Sequence, residues 1–325
     1  MSFGVSPKDI FFYKFNLYKK IQMSFDVTIL GCGSASPTSY RNPSAQVVEV
    51  QDRTILIDCG EGTQVQIRKR KIRMQKINRI LISHLHGDHY FGLIGLLSTF
   101  HLLGRENELH VYGPKDLENV IYTQLKASNT YLKYNLHFHY LNFKTKELLF
   151  EDARIQVHSF PMKHSIEVCG FLISEKAKPR KINRSAIDAF EVPVYQINAI
   201  KNGADYTMET GALVSNSKLT FNPTTSYSYA YCSDTAYFPE IVLSIKNVDL
   251  LYHEATFTKD LEKLAKQTKH STAEQAALIA KQAEVKQLLI GHYSARYTNL
   301  DVLLDEAKTV FENTVLANDG LKISL

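Results

Sequence analysis

A short run of histidines and one aspartate stands where a predicted buried strand gives way to a helix. His84, His86, Asp88 and His89 follow directly on an apolar strand that ends at Ser83. His84 and His86 are two positions apart, so their rings point the same way on an extended segment. Asp88 and His89 open the next helix, turned towards the same space. Three imidazoles and one carboxylate that converge in this way predict a site for zinc or a similar metal.

Further ligands are expected just past later strands. His164, Asp234 and His292 each follow a predicted apolar strand. Taken singly, each of them could equally be a core or loop residue. Their shared position at strand ends favours a site, because residues that follow neighbouring strands meet at one edge of a sheet.

The composition is that of a folded protein. The 325 residues are 44% hydrophobic and 22% charged, which argues against extended disorder, collagen-like repeats and coiled coil. A net charge of +5 permits a polyanionic partner without demanding one. The 4 cysteines are scattered, which argues against a disulfide framework or a thiolate zinc site. No apolar run is long enough to span a membrane and no secretory signal is recognisable, so a cytoplasmic location without membrane contact is expected.

The order of predicted elements indicates how these residues are positioned. Short strands dominate the first half, starting at Phe25, with a hairpin turn at 51–53. Helices are predicted over 64–76 and 88–103, and the last third alternates strands with helices. This order predicts two sheets with helices outside them.

Two stretches depart from this pattern. Residues 1–22 are basic and aromatic, and we interpret them as a dispensable extension, so that the folded domain spans 23–325. Residues 176–219 are polar, poorly periodic and basic at their start. A solvated surface loop is one interpretation, and a functional insertion is the other, because structureless stretches of this length are uncommon in compact domains.

Shorter motifs carry a specific resemblance. Besides HLHGDH, the chain contains PTSYRN at 37–42, IDCGEGTQ at 57–64, HEAT at 253–256, HST at 270–272 and HYSARY at 292–297. From about Phe25 to the C-terminus the sequence resembles the metallo-β-lactamase superfamily, and within it the ribonuclease Z family of tRNA 3′-processing endonucleases. The HEAT, HST and SARY motifs set that family apart from most other members of the superfamily.

The resemblance implies an α/β fold, a four-layer αββα sandwich that holds two zinc ions per subunit. One zinc would be bound by His84, His86 and His164 and the other by Asp88, His89 and His292, with Asp234 bridging both. Asp58 would orient the ligands and brace the loops. A strand-end turn residue is the simpler interpretation of Asp58 and is compatible with that role.

Catalytic roles are also implied by the resemblance. Asp88 would hold or accept the proton of the attacking water, and His270 would donate a proton to the departing ribose 3′-oxygen. Glu254 would orient His270, and Arg296 would clamp the phosphate with its planar guanidinium. For His270 a competing interpretation is a residue beside a helix start, since Ser271 and Thr272 follow it.

The implied substrate is precursor tRNA, cut to leave a 3′-hydroxyl on the tRNA and a 5′-phosphate on the trailer. The implied partner is a second subunit, because family members are homodimers in which an arm of one subunit holds tRNA bound to the other. That arm is expected at about 176–205, and its basic residues suit phosphate contacts. Those residues are Lys178, Arg180, Lys181 and Arg184.

Two departures from the family pattern concern substrate recognition. Arg41 and Asn42 are kept in the loop expected to meet the tRNA 3′ end, but Ser39 replaces the usual lysine. The arm also lacks the Gly-Pro-rich tip of many members. Another hydrolase of this fold, such as a lactonase or phosphodiesterase, and an inactive tRNA-binding protein remain the alternatives.

Overall fold

The described part of the chain, residues 25–325 of a computed structural model, begins with the strand predicted from Phe25. The extension predicted at 1–22 lies outside the described residues. Within 25–325, no helix combines the length and apolar character needed to cross a membrane.

Two seven-stranded mixed sheets form the body of this part. The first contains β1 (Phe25–Gly31), β2 (Ala45–Val50), β3 (Arg53–Ile57), β4 (Ile77–Leu81), β5 (Leu109–Gly113), β6 (Leu136–Tyr140) and β18 (Lys322–Ser324). Their spatial order is β18-β1-β2-β3-β4-β5-β6. Pairing is antiparallel from β18 to β3 and parallel from β3 to β6.

The second sheet repeats this plan. It contains β7 (Glu147–Glu151), β8 (Ile155–Pro161), β9 (Cys169–Glu175), β14 (Ser228–Cys232), β15 (Leu250–Glu254), β16 (Gln287–Gly291) and β17 (Thr314–Leu316), in the order β17-β16-β15-β14-β9-β8-β7. Strands β14 to β17 are parallel, and the rest pair antiparallel. Each sheet contains three consecutive parallel pairings, so the carboxyl ends of four of its strands lie at the same edge.

Helices cover the outer faces of both sheets. Those of the body are α1 (Thr63–Lys69), α2 (Gly87–Tyr90), α3 (Leu93–Leu102), α4 (Asp116–Ala127), α8 (Glu262–Thr268), α9 (Ala273–Gln282) and α10 (Asp301–Lys308). Short 3₁₀ segments lie at Met74–Lys76, Val194–Gln196, Pro239–Ser244 and Lys259–Leu261. Helices α1, α3 and α4 pack on the first sheet, and α9 and α10 on the second. The predicted αββα sandwich is confirmed.

The strand β3 shows how the sequence produces these layers. Its side chains alternate, so Ile55 and Ile57 enter the core between the sheets while Leu56 enters the core under the helices. A strand buried on both faces is apolar throughout rather than every second residue. The predicted hairpin before it is also present, with Gln51 and Asp52 as its two left-handed turn residues.

The two helices predicted beside the histidine run were wrong in their extent. The first ends at Lys69 rather than residue 76, because Lys71 adopts a left-handed conformation with φ 57°. The second, predicted over 88–103, is divided into α2 and α3. Gly92 N donates to Cys59 O at 2.9 Å, and a Cβ at Gly92 would lie 2.1 Å from Gly60 O. Close contact with the end of β3 therefore breaks the helix.

The segment predicted as a polar loop or short arm is instead a small folded unit. It contains β10 (Lys181–Ile182) paired with β13 (Thr220–Phe221), β11 (Tyr206–Thr207) paired with β12 (Leu213–Val214), and helices α5 (Arg184–Ala189), α6 (Ile197–Lys201) and α7 (Asn216–Leu219). Its own core consists of Ile187, Val192, Ile200, Tyr206, Val214 and Leu219. We call residues 178–224 the arm. The unit continues past the expected end at about 205, because the chain closes it only at β13.

Candidate metal centre

Seven histidine and aspartate side chains meet between the two sheets, just past the ends of four strands. Four follow β4, and three come from the second sheet after β8, β14 and β16. His84, His86, His164 and Asp234 present ligand atoms that all lie within 4.8 Å of one another, and so do Asp88, His89 and His292. The structure thus brings together every residue predicted as a metal ligand.

The carboxylate of Asp234 lies between the two groups. Its Oδ1 is 3.1 Å from His89 Nε2 and 3.0 Å from His292 Nε2. Its Oδ2 is 3.5 Å from His84 Nε2 and 3.7 Å from His164 Nε2. One oxygen therefore faces each group, as a bridging ligand requires.

The donor set fits a pair of zinc ions. Ligand atoms about 2.0 Å from a tetrahedral zinc stand roughly 3.3 Å apart, close to the distances around Asp234. In the described part of the chain, the buried Nε2 atoms of His84, His89 and His292 lie close to Asp234 but form no hydrogen bond of acceptable geometry. Buried polar atoms without a partner are costly, so these nitrogens point to an ion as their partner.

The far nitrogen of three of the ligand rings is held in place. Nδ1 of His84 is 3.0 Å from Ser83 Oγ, and Nδ1 of His292 is 3.1 Å from Thr256 Oγ1. Nδ1 of His164 lies 2.9 Å from the carbonyl oxygen of Lys269. Partners of this kind fix the ring orientation and the tautomer of a metal-binding histidine.

Asp58 has this role for His89. Its Oδ2 lies 2.7 Å from His89 Nδ1 and accepts a hydrogen bond from Tyr231 Oη at 2.7 Å. The Ser83 amide and hydroxyl donate to the same carboxylate at 2.8 and 2.9 Å. Asp58 is fully buried, so it ties the loop after β4 to the strands on both sides.

An unusual backbone conformation at three strand ends directs the side chains of Asp58, Asp234 and His292 into the site. Asp58, Asp234 and His292 have φ values of 54°, 51° and 57°. Residues other than glycine seldom adopt the left-handed region, at a cost on the order of 1–2 kcal/mol each. Strain of this kind persists where the surrounding contacts fix it, and it clusters at functional sites.

The charges at the site favour a cation. Burial lowers the pKa of His84 to about 4, so that ring is neutral and able to bind a metal. Burial works against ionisation of Asp234, but the surrounding His292, His89 and His84 keep its pKa well below the usual range. Burial would also lower the pKa of His89, yet the carboxylates of Asp234, Asp88 and Asp58 raise it well above the ordinary value. Three carboxylates around one imidazole therefore attract positive charge to this position.

His270 stands beside the ligands on a buried carboxylate. Its Nδ1 donates to Glu254 Oε1 at 2.8 Å, and its ring centroid is 5.4 Å from that of His292. Burial alone would lower the pKa of His270, but Glu254 outweighs this effect and raises it to about 9. The competing interpretation also describes the local structure, because Thr272, two residues on, caps α9 through a capping box.

Comparison with known proteins connects this site to a family. The chain is 48% identical over 301 residues to ribonuclease Z of Bacteroides fragilis, covering 93% of this chain and 99% of the relative. It is 45% identical over 302 residues to ribonuclease Z of Porphyromonas gingivalis, again covering 93% and 99%. This chain belongs to the ribonuclease Z family.

Structural comparison agrees with that membership. The short form of human tRNase Z is 28% identical, with 92% of this chain and 98% of that chain covered and a TM-score of 0.67. The metallo-β-lactamase fold protein YhfI of Bacillus subtilis shares the fold at 20% identity and a TM-score of 0.66, with 93% and 100% covered. Residues 187–293 match the family described as the β-lactamase superfamily domain, and residues 25–178 that described as anti-Pycsar protein Apyc1. A member of the ribonuclease Z family is a metal-dependent phosphodiester-cleaving endoribonuclease.

The cleft above the metal ligands is also lined by residues to which the sequence analysis assigned no role. It has a volume of about 510 Å³ and is lined, besides the ligands and His270, by Ala35, Ser36, Pro37, Glu61, Gly87, Phe91, Ser165 and Thr268. Ser36 and Pro37 precede the Arg41–Asn42 pair in the loop after β1. Ser36 and Pro37 thus bring this loop to the cleft, although Arg41 and Asn42 do not line it.

Arg41 and Asn42 have structural contacts in this ribonuclease Z family member. The Arg41 guanidinium is buried and donates to the carbonyl oxygen of Tyr297. Asn42 donates from its amide and its side chain to Asp319 Oδ2, at 2.8 and 2.6 Å. Neither residue lines the cleft. These contacts hold the loop in place, and direct RNA contact by Arg41 and Asn42 stays a prediction.

Arg296 lies outside the cleft lining as well. Its side chain is exposed, its Nε donates to Ser294 Oγ at 3.0 Å, and its guanidinium lies 5.0 Å from the centre of the Phe257 ring. Phe257 in turn contacts the His270 ring edge-on, with centroids 6.2 Å apart. Arg296 is therefore near His270, and its phosphate clamp stays a prediction.

The basic residues predicted on the arm border a separate cleft of about 720 Å³ between the arm and the body. Lys178 Nζ is paired with Glu175 at 2.7 Å, and Arg184 with Asp188 at 3.2 Å. Arg180 Nε donates to Thr220 Oγ1 at 2.6 Å, and Lys181 also lines this cleft. The four residues therefore lie together, but two of them are neutralised by acidic neighbours.

Proposed function

We propose that this protein removes 3′ trailers from precursor tRNA, leaving a 3′-hydroxyl on the tRNA and a 5′-phosphate on the trailer. The observation that carries the proposal is the pair of ligand groups that share Asp234 in a chain 48% identical to a ribonuclease Z. The human structural neighbour is a tRNase Z, which supports tRNA as the substrate class. This substrate fits the cytoplasmic location expected from the sequence.

Two zinc ions per subunit are the proposed cofactor. One would be held by His84, His86 and His164 and the other by Asp88, His89 and His292, with Asp234 shared. The chemistry that bound zinc supplies is a lowered pKa for water and compensation of the negative charge on the phosphoryl oxygens.

Asp88 is proposed to direct the attacking water. It lines the cleft, and its Oδ2 accepts a hydrogen bond from Ala35 N at 2.8 Å, which fixes the carboxylate. Burial works against its ionisation, but His89 and His292 keep the pKa of Asp88 below the usual range. A carboxylate that stays ionised accepts a hydrogen bond from water and so orients the oxygen for attack on phosphorus.

His270 is proposed to protonate the departing ribose 3′-oxygen. Its ring lines the cleft, and its Nδ1 proton is committed to Glu254, which leaves Nε2 to serve the substrate. Glu254 accepts three further hydrogen bonds, from Thr235 N at 2.6 Å, Ser271 N at 3.0 Å and Thr256 Oγ1 at 2.6 Å. A carboxylate held this firmly keeps the imidazole in one orientation.

Substrate binding is proposed to involve a homodimer, with the arm of one subunit contacting tRNA in the cleft of the other. The arm carries cations without acidic partners among its described contacts, such as the exposed Lys181 and the half-buried Lys201 on the cleft at its base. Phosphate contacts from such residues weaken as salt concentration rises.

The experiment that tests this function uses a precursor tRNA labelled at its 5′ end and a second one labelled in the trailer. We expect cleavage at the trailer junction, a phosphatase-sensitive 5′ end on the trailer, and two zinc atoms per chain by elemental analysis. Asp88→Ala and His270→Ala should each lower the rate by about 10²- to 10⁴-fold. Asp249→Asn, in a carboxylate network at the opposite strand ends, should leave the rate unchanged.

Parallel assays separate the alternatives. Faster turnover of a lactone or a chromogenic phosphodiester than of precursor tRNA would overturn the proposed substrate. Tight tRNA binding without cleavage or bound metal would support an inactive RNA-binding protein instead.

A further inference from the structure

An exposed phenylalanine stands at the edge of the catalytic cleft. Phe91 is 56% exposed, although most of the surrounding cleft is lined by polar and ionisable groups. The ring also borders an adjoining cavity of about 240 Å³ that contains Glu61 and Gln124. Phe91 therefore separates the space above the metal ligands from a second, smaller space.

The position of the ring is set by the short helix α2. Phe91 follows Asp88 by three residues, so both lie on one face of the same turn. A Cβ at Gly87 would come within 2.1 Å of Phe91 Cε2, so the glycine lets the ring occupy this position against the backbone. On its other side the Tyr90 ring meets it edge-on, with centroids 5.0 Å apart and planes 65° apart. The ring is held by the Gly87 backbone and the Tyr90 ring, and the 56% of its side chain that is exposed leaves part of its surface free for a ligand.

We propose that the exposed surface of the Phe91 side chain binds an unpaired nucleobase next to the scissile phosphate. The inference rests on the proposed function, because it requires an RNA strand in the cleft. Aromatic rings in nucleic-acid clefts stack on bases irrespective of sequence, since every base has a π-face. Such stacking would turn the flanking base away from the reacting atoms and fix the phosphate over the ligands.

The chemistry of the surroundings favours a base over another occupant. A purely apolar ligand would leave Glu61 and the ionisable groups of the cleft without solvent or partners. A base has a flat apolar face for Phe91 and polar edges for Glu61 and Gln124, which line the adjoining cavity. The stacked base is thus the occupant whose chemistry matches both sides of the ring.

The test combines variants of Phe91 with modified RNA. Single-turnover rates are measured at subsaturating enzyme for three precursor tRNAs: one intact, one abasic on the 5′ side of the cleavage site, and one abasic on the 3′ side. Phe91→Ala should lower the rate on the intact RNA by about tenfold. Phe91→Leu, which keeps apolar volume without a π-face, should behave like Ala, and Phe91→Trp should retain the rate. Tyr131→Ala, which removes an 83%-exposed ring outside the cleft, is the matched control and should change nothing.

The decisive readout is whether the rate loss caused by Phe91→Ala depends on the presence of one particular base in the RNA. On one of the two abasic RNAs the loss caused by Phe91→Ala should shrink to less than about twofold, because the partner of the ring is already missing. An equal loss on all three RNAs, or no loss on any, would overturn stacking. Cleavage of the intact RNA by the wild type reports separately on the proposed function, so the two can fail independently.

Discussion

At the scale of single residues, the site depends on carboxylates that never line the cleft. Asp58 touches no substrate, yet it contacts the far nitrogen of His89 and joins Tyr231 of the second sheet to the loop after β4. Partners of metal ligands are expected to matter nearly as much as the ligands. Their loss typically costs about 10- to 100-fold in metal affinity or activity.

Asp58→Asn tests this role. The amide keeps the size of the carboxylate but loses its charge beside His89, so zinc affinity should fall by about 10- to 100-fold. Competition with a chromogenic chelator measures it. Asp249→Asn is the matched control, since Asp249 also accepts from a serine amide and hydroxyl but lies away from the ligands. Unchanged zinc affinity in Asp58→Asn would contradict the assignment.

A second residue-scale prediction concerns the pair of Glu254 and His270. If Glu254 acts only by orienting His270, then Glu254→Gln and His270→Ala should lower the cleavage rate by about 10²-fold or more each. The double variant should then be no slower than His270→Ala alone, because residues that act as one unit are not additive. Zinc content should stay at the wild-type level. Multiplicative losses in the double variant would show an independent role for Glu254, such as supporting Thr235 and Ser271.

At the scale of elements, the arm is attached in a way that permits its removal. Strands β9 and β14 are antiparallel neighbours, with Ser174 opposite Ser228 and Glu175 N donating to Tyr227 O at 2.9 Å. The chain therefore leaves the body and returns to it side by side, and a short turn could join the two strands. The arm's own core contacts are made among its own helices and strands.

Replacing residues 179–224 with a short Gly-Ser turn should impair cleavage of precursor tRNA while sparing hydrolysis of a small chromogenic phosphodiester. A deletion ending at 205 would instead leave β13 and Leu219 without partners. Lys181→Ala with Lys201→Ala is the milder companion, and should weaken tRNA cleavage most at low salt. Equal loss of both activities in the turn variant, with the fold intact by circular dichroism, would contradict a separate substrate-binding arm.

Element boundaries also show what the sequence could and could not predict. The sequence predicts the motif after β4 and the ligands His164, Asp234 and His292. At each of these places a recognisable apolar strand is followed closely by a residue type that binds metals. The break between α2 and α3 was not readable, since it depends on Gly92 meeting the end of β3, a contact distant in sequence. The extent of the arm is hard to predict for the same reason. Its small core joins residues from Ile187 to Leu219, and the hydrophobic residues between them show no strong helical or strand periodicity. The exposure of Phe91 could not be predicted from the sequence, because it is an apolar residue within an apolar run.

At the scale of the whole molecule, the metal centre joins the two sheets. The ligands after β4 belong to the first sheet, and His164, Asp234 and His292 belong to the second. Ions bound by ligands from both sheets would therefore be held only when the two sheets have their native arrangement. An ion that binds the folded state alone stabilises it by mass action, about 2.7 kcal/mol at a hundredfold excess over the dissociation constant.

Thermal unfolding of the full chain should accordingly depend on zinc. Chelator-treated protein should melt several degrees below the zinc-loaded protein, and the difference should grow with zinc concentration. The effect should nearly vanish in Asp234→Asn, because that change removes the one carboxylate facing both ligand groups. Asp249→Asn should keep the full zinc-dependent shift even if its baseline stability falls, since its network with Ser228 and Lys286 lies elsewhere. A zinc-dependent shift of equal size in Asp234→Asn would show that stabilisation arises from zinc bound outside this centre.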